Sequence, residues 1–164
     1  MAANKYLPHV LVLPEDDADR QLANGFLLAP GLLARSIQVL PKAGGWGKVL
    51  DLFQSEHVRK MDANPGRYMV LLIDFDHQED RLGEARAVIP THLKDRVFVL
   101  GVWSEPEKLK ADLGRPAYES IGEAMAKDCR EGTDTIWSHD LLRHNAEELG
   151  RLRQHVRPIL FPPA

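Results

Sequence analysis

A single cysteine, Cys129, stands among the 164 residues, which excludes an internal disulfide and suits a reducing compartment. No apolar run approaches the roughly 20 residues that a membrane span requires. The opening residues, Met-Ala-Ala-Asn-Lys-Tyr, carry no stretch of signal-peptide character, so the cytoplasm is the expected location and no membrane partner is expected. Positive charge is not in excess: 21 Lys and Arg against 24 Asp and Glu leave a formal net charge of −3. That balance argues against a protein that coats nucleic acid through its bulk field. It leaves room for an enzyme that meets phosphates through metal ions, because an acidic site itself lowers the total. The seven histidines include no His-Glu-x-x-His spacing. His139 and His144, five apart, fall on different faces of a helix. Cys129 has no histidine arrangement that would make it a nucleophile and reads as an inert thiol. No repeat, low-complexity tract or linker-like shift divides the chain.

What is present is the composition of an ordinary globular protein, 44% apolar and 27% charged. Its length suits one domain over 1–164 with a full core. Four short apolar runs read as strands: 10–13, 37–40, 68–73 and 97–100. Helical patterns lie between and after them. One runs 17–28 with Leu22 and Phe26 inward, one follows the glycine-rich turn 43–47, and one covers 79–88. Three more are expected at 106–113, 118–128 and 138–156. Strands alternating with helices predict an α/β fold with a small, mostly parallel four-stranded sheet flanked by helices on both faces. The core would span about 7–113, and about 114–164 would form a helical C-terminal extension.

Two acid clusters stand directly behind two of those strands. The first reads His9-Val10-Leu11-Val12-Leu13-Pro14-Glu15-Asp16-Asp17-Ala18-Asp19, the second Met69-Val70-Leu71-Leu72-Ile73-Asp74-Phe75-Asp76. Ligands of open α/β sheets gather beyond the carboxyl ends of the strands. If the two strands are neighbours, Glu15, Asp19, Asp74 and Asp76 meet on one edge. Carboxylates that close repel unless protonated or bridged by a cation, which points to a divalent metal. Asp16 and Asp17 read instead as cap and dipole partners of the helix that follows. Gly44 and Gly45 either make a turn only or present helix N–H groups to a phosphate. Trp46 and Trp103 either pack over the sheet edge or stack on a base. Arg143, Arg151, Arg153 and Arg157 give the last helix a basic, solvated side.

The order of these parts resembles the Toprim domain shared by topoisomerases, bacterial primases and the overcoming-lysogenisation-defect nucleases, and within that group the nuclease branch. Glu15 and Asp19 match the two acids of its first motif, with Asp16 where the pattern has glycine. The segment from Val39 to Lys48 resembles its strand into a glycine pair, although Lys48 follows Gly45 by three residues rather than directly. Asp74-Phe75-Asp76 matches its Asp-x-Asp, and Glu105 and Glu107 resemble its Glu-x-Glu. The likeness covers roughly 9–113. It implies phosphodiester hydrolysis of DNA or RNA assisted by Mg²⁺ or Mn²⁺, with Asp74 and Asp76 on one metal and Glu15 shared or acting as base. Asp19 with Glu105 or Glu107 would support a second metal. Lys48 or Lys42 would neutralise the scissile phosphate, and Gly44 and Gly45 would cradle it.

Two rivals share the architecture. A phospho-receiver domain also places acids after its first and third strands, and Ser104 would match its hydroxyl. Against it, 57 residues separate Asp17 from Asp74, and the late segment 157–161 carries no strand-end lysine. The other rival is a non-catalytic module that binds a protein partner and keeps its acids for fold or assembly.

Overall fold

The computed structural model describes residues 2–163. Each apolar run becomes a strand: β1 (His9–Pro14), β2 (Ile37–Val39), β3 (Arg67–Leu72) and β4 (Val97–Leu100). All pairs are parallel, in the order β2-β1-β3-β4. The helices are α1 (Asp17–Phe26), α2 (Trp46–Leu52), α3 (Val58–Ala63), α4 (Asp80–Ala87), α5 (Pro106–Asp112), α6 (Tyr118–Glu131), α7 (Ala146–His155) and α8 (Arg157–Leu160). A π-helical turn, Phe53–His57, joins α2 to α3. No helix among the described residues is long and apolar enough to cross a membrane.

Both faces of the sheet are covered, which is why β1 and β4 are buried at every residue and read as continuous apolar runs. Alternate side chains serve opposite cores. Val10, Val12, Val70 and Phe98 pack with Leu22, Ile121, Leu149 and Leu152 from α1, α6 and α7. Leu11, Leu13, Met69, Leu71 and Val99 pack with Val49, Phe53, Met61 and Ala85 on the other face. Each large apolar side chain buried this way contributes about 1.5–3 kcal/mol. Helix α6 lies directly on α1 because glycines face the contact. A methyl at Gly122 would sit 1.9 Å from the Leu22 carbonyl oxygen, and one at Gly25 2.1 Å from that of Glu119.

The C-terminal region departs from the expected single helix over 138–156. Residues 135–142 form turns, a 3₁₀ turn follows at Arg143–Asn145, and only then does α7 begin. Asn145 accounts for the break. Its buried amide accepts from the Gly101 N–H at 3.2 Å and donates to the Gly101 carbonyl at 2.9 Å. Glu148 accepts from the Val99 N–H at 2.9 Å, and the Trp103 N–H donates to Leu141 at 2.8 Å. These groups fill the outer edge of β4, where a fifth strand would otherwise pair, and so remove an open edge.

The chain leaves β1 toward β2 on one side and returns to place β3 on the other. That reversal makes the carboxyl ends of β1 and β3 the switch point of the sheet, the place where ligands of open α/β sheets bind. The two strands run in register from His9↔Arg67 to Pro14↔Leu72.

Candidate metal centre

The register of β1 and β3 carries on beyond the strands. The Glu15 N–H donates to the Leu72 carbonyl at 2.9 Å, and the Asp74 N–H donates to Glu15 Oε2 at 2.6 Å. Helix α1 begins just after Glu15, with Asp16 as its cap: the Asp16 carboxylate accepts from the Asp19 N–H at 3.0 Å. The cap sets the first turn so that Asp19 faces inward, fully buried. Glu15, Asp19 and Asp74 then each offer an oxygen within 4.8 Å of the others.

These three acids are poorly served by the protein itself. Both carboxylate oxygens of Asp19, and Oδ1 of Asp74, are buried without a hydrogen-bond partner. Two facing carboxylates bond to each other only when one is protonated, and here protonation is favoured. Burial, then the negative charge of Asp74, holds Asp19 well above the usual carboxylate range. Burial is also the main cause that pushes Asp74 up to about 8, with Asp16 and Glu15 adding repulsion. Glu15 is raised by burial too, against the pull of the Asp74 and Trp46 N–H groups and of Arg81. Buried hard oxygens that lack partners and repel one another are what a divalent cation neutralises. This trio can hold a metal ion.

No family model, curated protein or solved structure matches the chain. The site therefore stands on its own geometry, and the other residues implicated from sequence take their places around it.

Asp76 lies apart from the trio. Asp76 and His77 both adopt left-handed backbone, φ +49° and +58°. Their N–H groups donate to the carbonyls of Ser104 and Trp103 at 3.1 and 2.8 Å. The turn throws the Asp76 carboxylate outward, 63% exposed and 3.6 Å from Arg81 Nη2. Glu105 precedes α5 and Glu107 lies in its first turn. Both are exposed, and neither joins the clustered oxygens. The glycine turn is tied to the site: the Ala43 and Gly44 N–H groups donate to Pro14 and Glu15 at 2.9 and 2.8 Å. Gly44 has φ +96°, which its lack of a side chain permits, and the Lys48 ammonium lies over it, 3.7 Å from where a Cβ would be. Gly45 precedes α2 without a side-chain cap, and Lys42 and Lys48 are exposed.

Trp46 and Trp103 are both partly buried against the core. Trp103 stacks on Phe75 at 6.0 Å, and Trp46 carries the Arg81 guanidinium at 4.9 Å. Among the basic residues of the C-terminal region, Arg151 pairs with Glu148 at 2.9 Å and Arg153 with Asp134 at 3.1 Å.

Sequence patterns pass over Arg81 and Tyr118 altogether and name Ser104 only through the receiver pattern. Arg81 donates to the Asp74 carbonyl at 2.7 Å. Ser104 is buried with its hydroxyl unpartnered. The Tyr118 phenol is raised by burial, then by Glu107, Asp16, Asp19 and Asp74, which places it among their charges. None sits in an acidic motif; each is brought in by the packing of a later element.

Proposed function

We propose that this protein is a Toprim-like, Mg²⁺- or Mn²⁺-dependent nuclease that hydrolyses phosphodiester bonds in DNA or RNA. The observation that carries this reading is the trio of Glu15, Asp19 and Asp74, drawn together at the switch point of the sheet with buried oxygens unpartnered. The trio would hold the ion. When bound, it supplies a Lewis acid that activates water and stabilises charge on the departing oxygen. Asp19 and Asp74, buried, fix the ligand geometry from helix and strand. Glu15 is the more open of the three and is held by the Asp74 N–H. It would share the ion and take a proton from the attacking water. Lys48 over the glycine turn supplies positive charge at the entrance.

Purified protein should nick single- or double-stranded DNA or RNA only with Mg²⁺ or Mn²⁺, and Asp74→Ala, still folded, should lose this activity. Cleavage of none of these substrates would favour the protein-binding module.

A phospho-receiver is the second reading, favoured by the buried, unpartnered Ser104 hydroxyl beyond β4. Against it, Asn145 and Glu148 occupy the edge that a receiver's fifth strand would use. Incubation with acetyl phosphate separates the two, since a stable aspartyl phosphate would favour the receiver.

A further inference from the structure

Arg81 lies in the first turn of α4, with its side chain only 14% exposed. A guanidinium that deep normally has its donors filled. Here they are not. Nη1 donates to the Asp74 carbonyl at 2.7 Å, and Nε is buried without a partner. Nη2 stands 3.6 Å from Asp76, beyond hydrogen-bond length. The Asp76 carboxylate is largely in water, so its hold is weak and screened.

Two contacts fix the group in place of a full set of bonds. One is the Asp74 carbonyl, immediately behind β3. The other is the Trp46 ring at 4.9 Å, at the start of α2. Both anchors adjoin the acids: Asp74 is one of them, and Gly44, two residues before Trp46, donates its N–H to the Glu15 carbonyl at 2.8 Å. The cation is therefore set on the rim of the trio without being spent on any of its carboxylates. A residue that merely locked the turn at Asp76 would need the carbonyl bond alone.

We propose that Arg81 is the phosphate-recognition residue of this site, with its Nη2 edge taking the anionic oxygens of a phosphate group brought to the acid trio. The proposal rests on the phosphodiester reading above and adds to it the residue that selects the substrate's charge. A planar fork held by a carbonyl and an aromatic face presents its donors in a fixed direction, which the exposed, flexible Lys48 cannot do. Asp76 holds the place of the phosphate and gives way when it arrives, at little cost because the pair is solvated.

The test is calorimetric titration of the full chain with inorganic phosphate, with and without Mg²⁺, alongside a separate titration with Mn²⁺. Arg81→Gln should weaken phosphate binding roughly 10- to 100-fold, the range for losing a hydrogen bond to a charged group. Arg81→Lys should lose less, keeping the charge but not the fork. Asp76→Asn should tighten phosphate binding. Mn²⁺ affinity should stay within about fivefold of wild type in both Arg81 variants, the limit for a screened neighbouring charge. Folded Arg81→Gln that binds phosphate as wild type does, or wild type that binds none, would overturn the proposal. A wild type that takes phosphate but no Mn²⁺ would instead overturn the metal reading and leave Arg81 supported.

Discussion

Replacing Asp74 with asparagine should stabilise the protein without added metal while removing one carboxylate of the candidate metal site. The Asp74 carboxyl is held at about 8, chiefly by burial, whereas in an unfolded chain it ionises near ~3.9. Between those values the folded form keeps a proton that the unfolded form has released. Stability therefore falls as pH rises, by about 1.4 kcal/mol per pH unit for one proton. From pH 5 to pH 8 that amounts to about 4 kcal/mol, a ceiling because water entering around the carboxylate relaxes it. Asp19 and Glu15, both raised chiefly by burial, act in the same direction. Set against a total stability of about 5–15 kcal/mol for a domain, the acids are a heavy burden without an ion.

The wild-type profile alone would mislead. Burial lowers His9, His57 and His144, the last to about 4. Each takes up its proton at lower pH in the fold than in the unfolded chain, so each removes stability as pH falls below about 6.5. The difference between Asp74→Asn and wild type cancels these histidines. Urea unfolding in EDTA at pH 5, 6, 7 and 8 measures it. The variant's advantage should be small at pH 5 and grow by about 1.4 kcal/mol per unit, or more if Asp19 follows. Mn²⁺ at 100 times its Kd should then stabilise wild type by about 2.7 kcal/mol and leave the variant unchanged. A difference that stays flat with pH would refute the reasoning, since the carboxyl would then be ionised in both states.

Four further outcomes test the frame around the site. Glu148→Ala orphans the Val99 N–H and strips Arg86 and Arg151 of a buried partner, so urea unfolding should show a loss of about 3–5 kcal/mol; a loss below about 1 kcal/mol would mean that water caps β4 equally well. Gly101→Ala puts a methyl 1.6 Å from the Ile73 carbonyl oxygen and should cost more than about 3 kcal/mol. Gly47→Ala, in α2 with nothing within 4 Å, should instead stabilise by about 0.5–1 kcal/mol in the same assay. The Cys129 thiol is fully buried and pushed up to about 11 by burial, so a thiol reagent should label it only as the protein unfolds; rapid labelling under native conditions would contradict its placement.

The strands were legible because each is a short apolar run that stops abruptly, and a parallel sheet covered on both faces demands such runs. Glu15 and Asp74 could be paired from sequence for the same reason: both directly follow those runs, and in-register strands carry them side by side. Asp76 was not legible. Spacing put it beside Asp74, but two successive left-handed residues send its carboxylate to the surface. Arg81 and Tyr118 owe their positions to where α4 and α6 dock, which no local pattern states. The helix expected over 138–156 rested on Leu142, Leu149, Leu152 and Val156, and all four are buried. The period was sound, yet Asn145 uses its amide to close the end of β4, and the chain turns around that bond.

Burial alone does not mark an acid as functional, and this chain supplies its own control. Asp128 and Glu148 are 3% and 5% exposed, as buried in practice as Asp19 and Asp74. Asp128 accepts from the Thr133 hydroxyl at 2.6 Å and the Ile136 N–H at 2.7 Å. Glu148 accepts from the Val99 N–H and pairs with two arginines. Both are saturated, and both serve the fold by tying a loop or an edge. Asp19 has comparable burial and no donor on either oxygen, and Asp74 has none on Oδ1. Unmet buried acceptors each cost about 1–3 kcal/mol, more when charged. Where the same molecule satisfies two buried acids fully and leaves two others facing each other, the second pair needs either a shared proton or a cation between them, and the trio can hold that cation.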